Sequence, residues 1–481
     1  MMRLVTLAPA EELDLPGADL RLEISNPYFS TDSIPGTITQ SLDLPWTRPN
    51  LRGLGFPDRY RGPGGPAPVP ADCYLDGARW RRGKLVFREC DVPAQRLRYH
   101  FVADAADLAT QLRDVKLADL SLGTVPFSRV PSTADYALLP VRNRLFFGDN
   151  EEEIPAGYPG VLNYFTAGVY PSEAQLAPQL YLMPLLRRVM AHFGYTIEGA
   201  WVDDAEIQQL VIYSDRVVGL GTLELELAQH VPDMSVPDLL IALQQAFCLG
   251  LYFDTTRQVL RLTPLRDVLA AAGSQYQQRA GRRQTTVAND TNGFELQLRP
   301  EGDDELDKTL DRSWQQARFG AGGERIEVSA GTLHLVYASD EQHVGRSWLL
   351  PAIEAAGAVA GEASKAGLRL LFDRGLQADN LGGMYPLGSP ATRSYAGDVV
   401  GQYSLLAGDL VADWHAAWLT FRSRSVQHTY EAEFRLPDLL ALDPGRAELL
   451  DHHLHLWEKV SLTISATSSL QRASITYREL L

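Results

Sequence analysis

Three histidines, His452, His453 and His455, are the most closely spaced side chains that could bind a metal ion. On an extended chain His453 and His455 project from the same face, which is a workable geometry for zinc. Asp451 and Glu458 are the nearest carboxylates that could complete such a site. No cysteine lies near them in the sequence, so we favour imidazoles with a structural role over a metal site. No metal ligand and no cofactor is predicted.

Two pairs of adjacent carboxylates, Asp203-Asp204 and Asp303-Asp304, could in principle serve acid–base chemistry. Adjacent residues on a strand point to opposite faces, however, and cannot flank one scissile bond. We therefore expect both pairs to lie in polar loops, and no catalytic residue is predicted. A cell-wall hydrolase that uses Asp203, Asp204 and Glu206 remains a less favoured alternative.

The remaining conspicuous residues have structural interpretations. Trp414 and Trp418 are four residues apart, which places them on one face of a helix; this spacing favours core packing over a sugar-binding platform. Gly219-Leu220-Gly221 lacks the third glycine of a dinucleotide-binding fingerprint and indicates a turn. The acidic run from Glu151 to Glu153 is typical of a solvated loop.

Composition excludes several classes of protein. The 481 residues include 60 acidic and 44 basic side chains, for a net charge of −16. Such a chain is a poor candidate for wrapping nucleic acid or for binding anionic membranes. The chain has three cysteines, Cys73, Cys90 and Cys248, and their spacing is not that of zinc ligands. A disulfide between Cys73 and Cys90 is conceivable. However, a small and odd number of cysteines is typical of proteins from a reducing compartment. No signal peptide or membrane span is expected, so we predict synthesis in the cytoplasm.

The hydropathy pattern changes from β to α/β and back to β along the chain, which predicts a mixed α+β fold. Alternating strands open the chain, and two helices followed by strands occupy its middle. The first helix, within Leu176–Phe193, contains Pro184, so we expect it to start later or to kink there. After the second helix, Leu251–Phe253 and Val259–Leu262 predict a hairpin. Ser235 is a suitable N-cap for the second helix, Val236 to Phe247. The polar stretch from Ala280 to Thr291 is expected to be a loop. The segments that carry these predictions are Leu20–Ile24, Thr37–Leu44, Leu176–Phe193, Leu251–Phe253, Val259–Leu262, Thr429–Leu436, Val460–Ile464 and Ala473–Tyr477.

Several short sequence segments, taken in their order along the chain, resemble those of the tail hub (baseplate hub, or tail-associated) proteins of tailed phages and prophages, especially those of the Bacteroidetes group. An Asn-Pro-aromatic opening phrase is followed by two helix–strand units and a closing phrase. The resembling segments are Ile24–Arg59, Leu138–Phe147, Gln179–Asp215, Val231–Leu269, Leu368–Gln377 with Met384–Leu387, and Phe434–Asp443.

The resemblance implies two β-barrel hub domains that flank helix-plus-strand α/β insertion domains. The implied domains are the first barrel (residues 1–145), the α/β insertion (146–270), a mixed domain with strands and mobile loops (271–400) and the second β-rich hub domain (401–481). Strands near 205–230 are candidates to complete the first barrel. The second hub domain is expected to share strands from 294–375.

The function implied by the resemblance is structural rather than enzymatic. Three copies would form a ring in the tail of a phage or phage-like contractile injection particle and join the sixfold tail tube to the threefold tip. The implied partners are further copies of the chain, a tail tube or distal tail protein, a tape measure protein and a spike or tip protein. DNA would pass through the channel without specific binding, and the protein would be assembled in the bacterial cytoplasm and reside in the virion tail. A receptor- or carbohydrate-binding tail-tip module is the alternative.

Overall fold

The chain has a mixed α+β fold in which strands predominate. The computed structural model describes residues 2–15, 20–30, 39–60, 65–75, 77–103, 111–112, 114–148, 154–255, 257–270, 280–289, 291, 293–302, 304–311, 313–321, 323–359, 362, 364, 366–435, 442–464 and 470–480. None of the helices in these ranges is both long enough and apolar enough to cross a membrane.

An antiparallel sheet of six strands, here called the N-terminal sheet, is formed by the first hundred residues. Its alternating pattern buries Met2 and Leu4 and exposes Arg3 between them, as expected for a strand with one face in the core. Its strands lie in the spatial order Ala10–Glu12, Met2–Leu7, Val69–Leu75, Ala78–Asp91, Arg96–Ala103 and Thr39–Pro45.

A second antiparallel sheet, here called the C-terminal sheet, combines the last strands with one early strand. Val460 and Leu462 are buried, whereas Ser461 between them is only half-buried. Four strands follow one another as Ala280–Val287, Gln427–Arg435, Leu470–Leu480 and His453–Ile464; Glu448–Leu450 and Leu20–Ser25 both pair with the far side of His453–Ile464.

The two sheets contribute to one hydrophobic cluster. Leu4, Leu85 and Tyr99 of the N-terminal sheet belong to it together with Val460 and Tyr477 of the C-terminal sheet, and each of these side chains is essentially inaccessible to water. Because the early strand Leu20–Ser25 lies in the C-terminal sheet, the chain passes between the sheets twice before residue 45. The sheets are therefore coupled by packing and by chain connectivity.

The middle of the chain forms further sheets, most of them built from shorter strands, around a separate, larger core. One sheet contains Val161–Leu162, Val141–Arg142, Ser347–Ala352 and His334–Ser339, and another contains Ala330–Gly331, Leu368–Ala378, Met384–Ser389, Leu210–Ile212, Gln179–Tyr181 and Tyr136–Ala137. Three smaller sheets complete the middle of the described chain. They are Thr196–Glu198 with Val259–Pro264 and Leu249–Asp254, Gln316–Gly320 with Gly293–Leu298 and Glu324–Val328, and Glu224–Glu226 with Thr124–Pro126.

The strands near 205–230 and 294–375, which the resemblance offers to the two barrels, pair within these middle sheets. The division of the chain at 145, 270 and 400 stays a prediction.

Few helices accompany these sheets. The α-helices that lie wholly within the described residues are Arg48–Gly53, Leu182–His192, Ala200–Asp203, Val236–Phe247, Leu265–Ala270, Leu306–Thr309, Ala407–Leu410 and Ala416–Arg424, with a π-helical turn at Val411–His415. Short 3-10 turns lie at Pro27–Phe29, Pro57–Arg59, Leu117–Asp119, Ile207–Gln209, Leu227–Gln229 and Ser313–Gln315.

The two predicted middle helices are present, but the first is shorter than its pattern indicates. Residues 179–181 pair as a strand with Tyr136–Ala137 and Leu210–Ile212, so the helix begins only at Leu182. Pro184 then falls in the first turn, where a missing N–H costs no helical hydrogen bond. The second helix has the predicted bounds, and Ser235 Oγ accepts the N–H of Asp238 as an N-cap.

The prediction of a loop over residues 280–291 is wrong for its first eight residues, which form the strand Ala280–Val287. Hydrogen bonds to Gln427–Arg435 hold this strand in place, with register shifts near Arg283. The side chains of residues 281–287 are all exposed. Because neither face of the strand is buried, its sequence lacks the apolar alternation by which strands are recognised.

Candidate assembly surface

Two of the three carboxylates considered for hydrolysis, Asp204 and Glu206, hold neighbouring segments of the fold together. Asp204 Oδ1 accepts the N–H groups of Glu206 (2.9 Å) and Ile207 (3.0 Å). Glu206 binds the guanidinium of Arg374 and also accepts the backbone N–H groups of Gln402 and Tyr403. These oxygens are thus occupied by protein donors. Asp203 is exposed at the end of a short helix.

Of the second carboxylate pair, the structure describes only Asp304, which has a similar role. Asp303 lies outside the described residues. Asp304 is buried, which raises the pKa of its carboxyl, and its Oδ1 accepts the N–H groups of Leu306 and Glu354, both at 3.0 Å. Asp304 also lies near Asp307 and His334, whose Nε2 is 3.0 Å from Asp307 Oδ1. Asp304 therefore fixes the turn that precedes the helix Leu306–Thr309.

Both tryptophans belong to the hydrophobic core, as their helical spacing predicts. Trp414 and Trp418 are each 2% exposed. The ring of Trp414 packs edge-to-face against Phe247 with centroids 5.6 Å apart, and the guanidinium of Arg266 lies 4.0 Å from the centre of the Trp414 ring. Trp418 packs against Phe29. Neither indole offers a face on which a sugar could stack.

The remaining sequence features are placed as follows. Cys73, Cys90 and Cys248 are free thiols, and burial raises the pKa of Cys73 to about 12. Gly219 to Gly221 form a turn, in which the N–H of Thr222 donates to the carbonyl of Gly219. Glu151 to Glu153 lie outside the described residues.

The three neighbouring histidines occupy different environments. His452 is exposed in a turn and has a positive φ of 69°. His453 is exposed, and its Nδ1 lies 2.7 Å from Glu479 Oε1. His455 is 1% exposed, and burial lowers the pKa of its imidazole, an effect that a hydrogen bond to the carbonyl of His453 partly offsets.

The carboxylates suggested by sequence proximity do not lie beside these imidazoles. Asp451 accepts a hydrogen bond from the hydroxyl of Tyr430, and Glu458 pairs with Arg478 at 2.8 Å. The residues that do approach His455 are His428 and Glu479, which come from two other strands. We call His428, His455 and Glu479 the histidine cluster. Sequence spacing could not identify it, because only the register of the C-terminal sheet joins its members.

The strand Ala280–Val287, from here on the edge strand, is the most exposed strand of the C-terminal sheet. It pairs with Gln427–Arg435 on one side and lies at the end of the strand order. Arg282 and Arg283 give it a positive charge, and Val287 is 54% exposed. An edge strand presents a row of N–H and C=O groups that another chain can pair with.

The corresponding edge of the N-terminal sheet is covered by the chain itself. The helix Arg48–Gly53 packs on Ala10–Glu12, the outermost strand at this side of the N-terminal sheet. Asn50 is buried, accepts the N–H of Asp14 and donates to the carbonyls of Asp14 and Pro45. Natural proteins commonly protect an edge in this way. Compared with the covered strand Ala10–Glu12, the exposed edge strand of the C-terminal sheet is therefore the better candidate for contact with another chain.

No protein-family model and no curated protein matches the chain. The solved structures that are similar to it over almost its full length include two tail proteins. One is the 43 kDa tail protein of prophage MuSo2 from Shewanella oneidensis, with a TM-score of 0.39 and 10% sequence identity, covering 99% of this chain and 97% of that chain. The other is the tail protein from Neisseria meningitidis MC58, with a TM-score of 0.37 and 8% identity, covering 99% and 96% of the two chains. At these TM-scores the similarity does not establish a common fold.

Proposed function

We propose that the chain is a structural subunit of the tail of a phage or phage-like contractile injection particle. In this proposal three copies form a hub ring that joins a sixfold tail tube to a threefold tip. The ordered phrases that resemble tail hub proteins support the family. The exposed edge strand is the structural observation that carries the proposed assembly role.

The two large sheets suit the proposed symmetry. Of the six-stranded sheets of each chain, two are wholly antiparallel, the N-terminal and the C-terminal sheet, so three chains would present six such sheets around an axis. Because the sheets contribute to one hydrophobic cluster, they would move together and give the ring a fixed geometry. If the two sheets of each chain occupy quasi-equivalent positions, a trimer presents six similar surfaces to the sixfold tail tube and keeps threefold symmetry towards the tip.

The proposed contact between subunits is strand addition at the edge strand. Residues 281–287 would pair with a strand of a neighbouring copy and so remove the exposed edge. Arg282 and Arg283 would bring positive charge to a neighbour that carries a net charge of −16, which favours encounter. A permanent ring contact of this kind would bury ~2,000 Å² or more.

The same negative charge suits a channel for DNA. Acidic walls repel phosphate groups, so a genome could slide through the ring without adhering to it. The further proposed partners are a tail tube or distal tail protein, a tape measure protein and a spike or tip protein. The proposed location is the virion tail after assembly in the bacterial cytoplasm.

Sedimentation velocity over a concentration series tests the proposal. We expect the wild-type chain to form a trimer of the 53.2 kDa subunit. Arg283→Glu should weaken this association about tenfold, because the reversed charge faces an acidic neighbour. The matched control is Arg187→Glu, at an exposed position of the helix Leu182–His192, and it should associate like the wild type. A monomer at every concentration, or equal loss in both variants, would contradict the proposal.

A further inference from the structure

We propose that the histidine cluster binds a divalent transition-metal ion of the zinc class. His428, His455 and Glu479 each offer one ligand atom, and these three atoms all lie within 4.8 Å of one another. Bonds of about 2.0–2.2 Å place the ligand atoms of a tetrahedral zinc ion roughly 3.3 Å apart. Reducing the separations between these atoms by at most about 1.5 Å would therefore bring all three to coordinating distance. The proposal stands independently of any role in a phage tail.

The other ring nitrogen of each imidazole is already held by an oxygen atom. His455 Nδ1 lies 3.0 Å from the carbonyl oxygen of His453, and His428 Nδ1 lies 3.0 Å from Thr286 Oγ1. With the hydrogen on Nδ1, each Nε2 keeps its lone pair for a metal. Metal-binding histidines nearly always have such an oxygen partner, which fixes both the tautomer and the orientation of the ring.

The strand register holds the three ligands on one face of the C-terminal sheet. His455 lies directly opposite Glu479, and His428 lies opposite Tyr477, which is two residues from Glu479 along its strand. Side chains two residues apart on a strand share a face. The three ligands thus come from three adjacent strands, and a site on strands is held more rigidly than a site on loops.

The fourth partner of the site is the exposed His453. Its Nδ1 lies 2.7 Å from Glu479 Oε1, while Glu479 Oε2 lies 3.3 Å from His428 Nε2. His453 therefore positions the carboxylate and leaves its other oxygen for the metal. Two imidazoles and one carboxylate are a donor set that zinc accepts, with water as the fourth ligand. The exposed side of His453 provides the route by which the ion enters.

Binding would brace the sheet beneath the edge strand. Thr286, the oxygen partner of His428, belongs to the edge strand. An ion held by three strands would therefore also fix the position of this fourth strand through Thr286. Because only the folded sheet brings the ligands together, binding would raise the stability of the chain.

Calorimetric titration with zinc chloride tests the site on the untagged, chelator-treated full-length chain. We expect one zinc ion per chain and a rise in the melting temperature when zinc is added. His428→Gln and Glu479→Gln should each weaken binding tenfold or more. The control is His192→Gln, at an exposed histidine on the helix Leu182–His192, and it should bind zinc like the wild type.

A measurement on the wild-type chain keeps the test independent of how the variants fold. The X-ray absorption spectrum of the zinc-loaded protein should show two imidazole nitrogens and oxygen ligands around the ion. Absence of zinc binding, unchanged affinity in His428→Gln and Glu479→Gln, or a sulfur ligand in the spectrum would overturn the proposal. In that case the cluster is a hydrogen-bonded network only.

Discussion

Oε1 of Glu206 lies 2.6 Å from Nη1 of Arg374, although the two residues are 168 positions apart in the chain. The Arg374 side chain is 2% exposed, and its remaining donors reach the carbonyls of Ala391 and Tyr403. Glu206 also accepts the backbone N–H groups of Gln402 and Tyr403. One carboxylate thus joins the turn after the helix Ala200–Asp203 to two later segments.

Glu206→Ala is expected to destabilise the chain by about 3 kcal/mol, because removing one member of a buried ion pair leaves the other charge uncompensated. Urea unfolding followed by circular dichroism measures the change. Asp203→Ala is the matched control, since Asp203 is exposed, and it should alter stability by less than about 0.5 kcal/mol. Equal effects of the two changes would contradict the structural role of Glu206.

Trp418→Ala is expected to cost about 3–5 kcal/mol, because it empties a large volume in the core. Tyr337→Ala, at a ring that is 70% exposed, should cost less than about 1 kcal/mol. Both values follow from urea unfolding curves. If Trp418→Ala hardly changed the free energy of unfolding but abolished binding of the protein to sugars on a glycan array, the sugar-platform interpretation would be favoured instead.

Stability should fall as the pH drops from about 6.5 towards about 4, in part because of His415. Burial lowers the pKa of this imidazole to about 4, although hydrogen bonds to the carbonyls of Ala246 and Gln245 partly offset the shift. Between the two pKa values the unfolded chain binds more protons than the folded chain, so the contribution is complete above pH 6.5 and is lost with acid. The difference between the pKa of His415 in the unfolded and folded chain corresponds to about 3 kcal/mol in the free energy of unfolding.

Unfolding free energies measured at several pH values test this assignment. His415→Gln keeps a donor for the carbonyl of Ala246 but does not titrate. The variant should therefore show a shallower loss of stability between pH 6.5 and 4 than the wild type. Identical slopes in the two proteins would exclude His415 as a source of the acid sensitivity.

Ser235→Ala is expected to destabilise the chain by about 1 kcal/mol, because the N–H of Asp238 loses its side-chain acceptor. Ser235→Asn retains a cap of similar strength and should remain within a few tenths of a kcal/mol of the wild type. Thermal unfolding of the two variants separates the cap from other consequences of changing the residue. An unaffected Ser235→Ala variant would contradict the capping role.

Sequence reasoning succeeded where the signal was local. The helix Val236–Phe247 has the predicted bounds because an N-cap, a proline in the first turn and a stripe of apolar residues all lie within it. The predicted strands Leu251–Phe253 and Val259–Leu262 likewise pair as a hairpin, with bounds Leu249–Asp254 and Val259–Pro264. Pro184 indicated a later start or a kink in the first middle helix, but the start at Leu182 itself could not be predicted, because residues 179–181 pair with strands that are distant in sequence.

Two features that depend on distant contacts could not be predicted. The edge strand is mostly polar and lacks apolar alternation, so its sequence is indistinguishable from that of a loop until Gln427–Arg435 lies beside it. Three closely spaced histidines pointed to the region of the histidine cluster, but only His455 belongs to it. His428 and Glu479 join it through strand register, which a single sequence does not reveal.

Cryo-electron microscopy of the purified full-length chain tests the proposed assembly most directly. The proposed function predicts threefold rings with a central channel, in which the edge strand is paired with a strand of the neighbouring copy. Single separate molecules, or rings in which residues 281–287 face solvent, would contradict it.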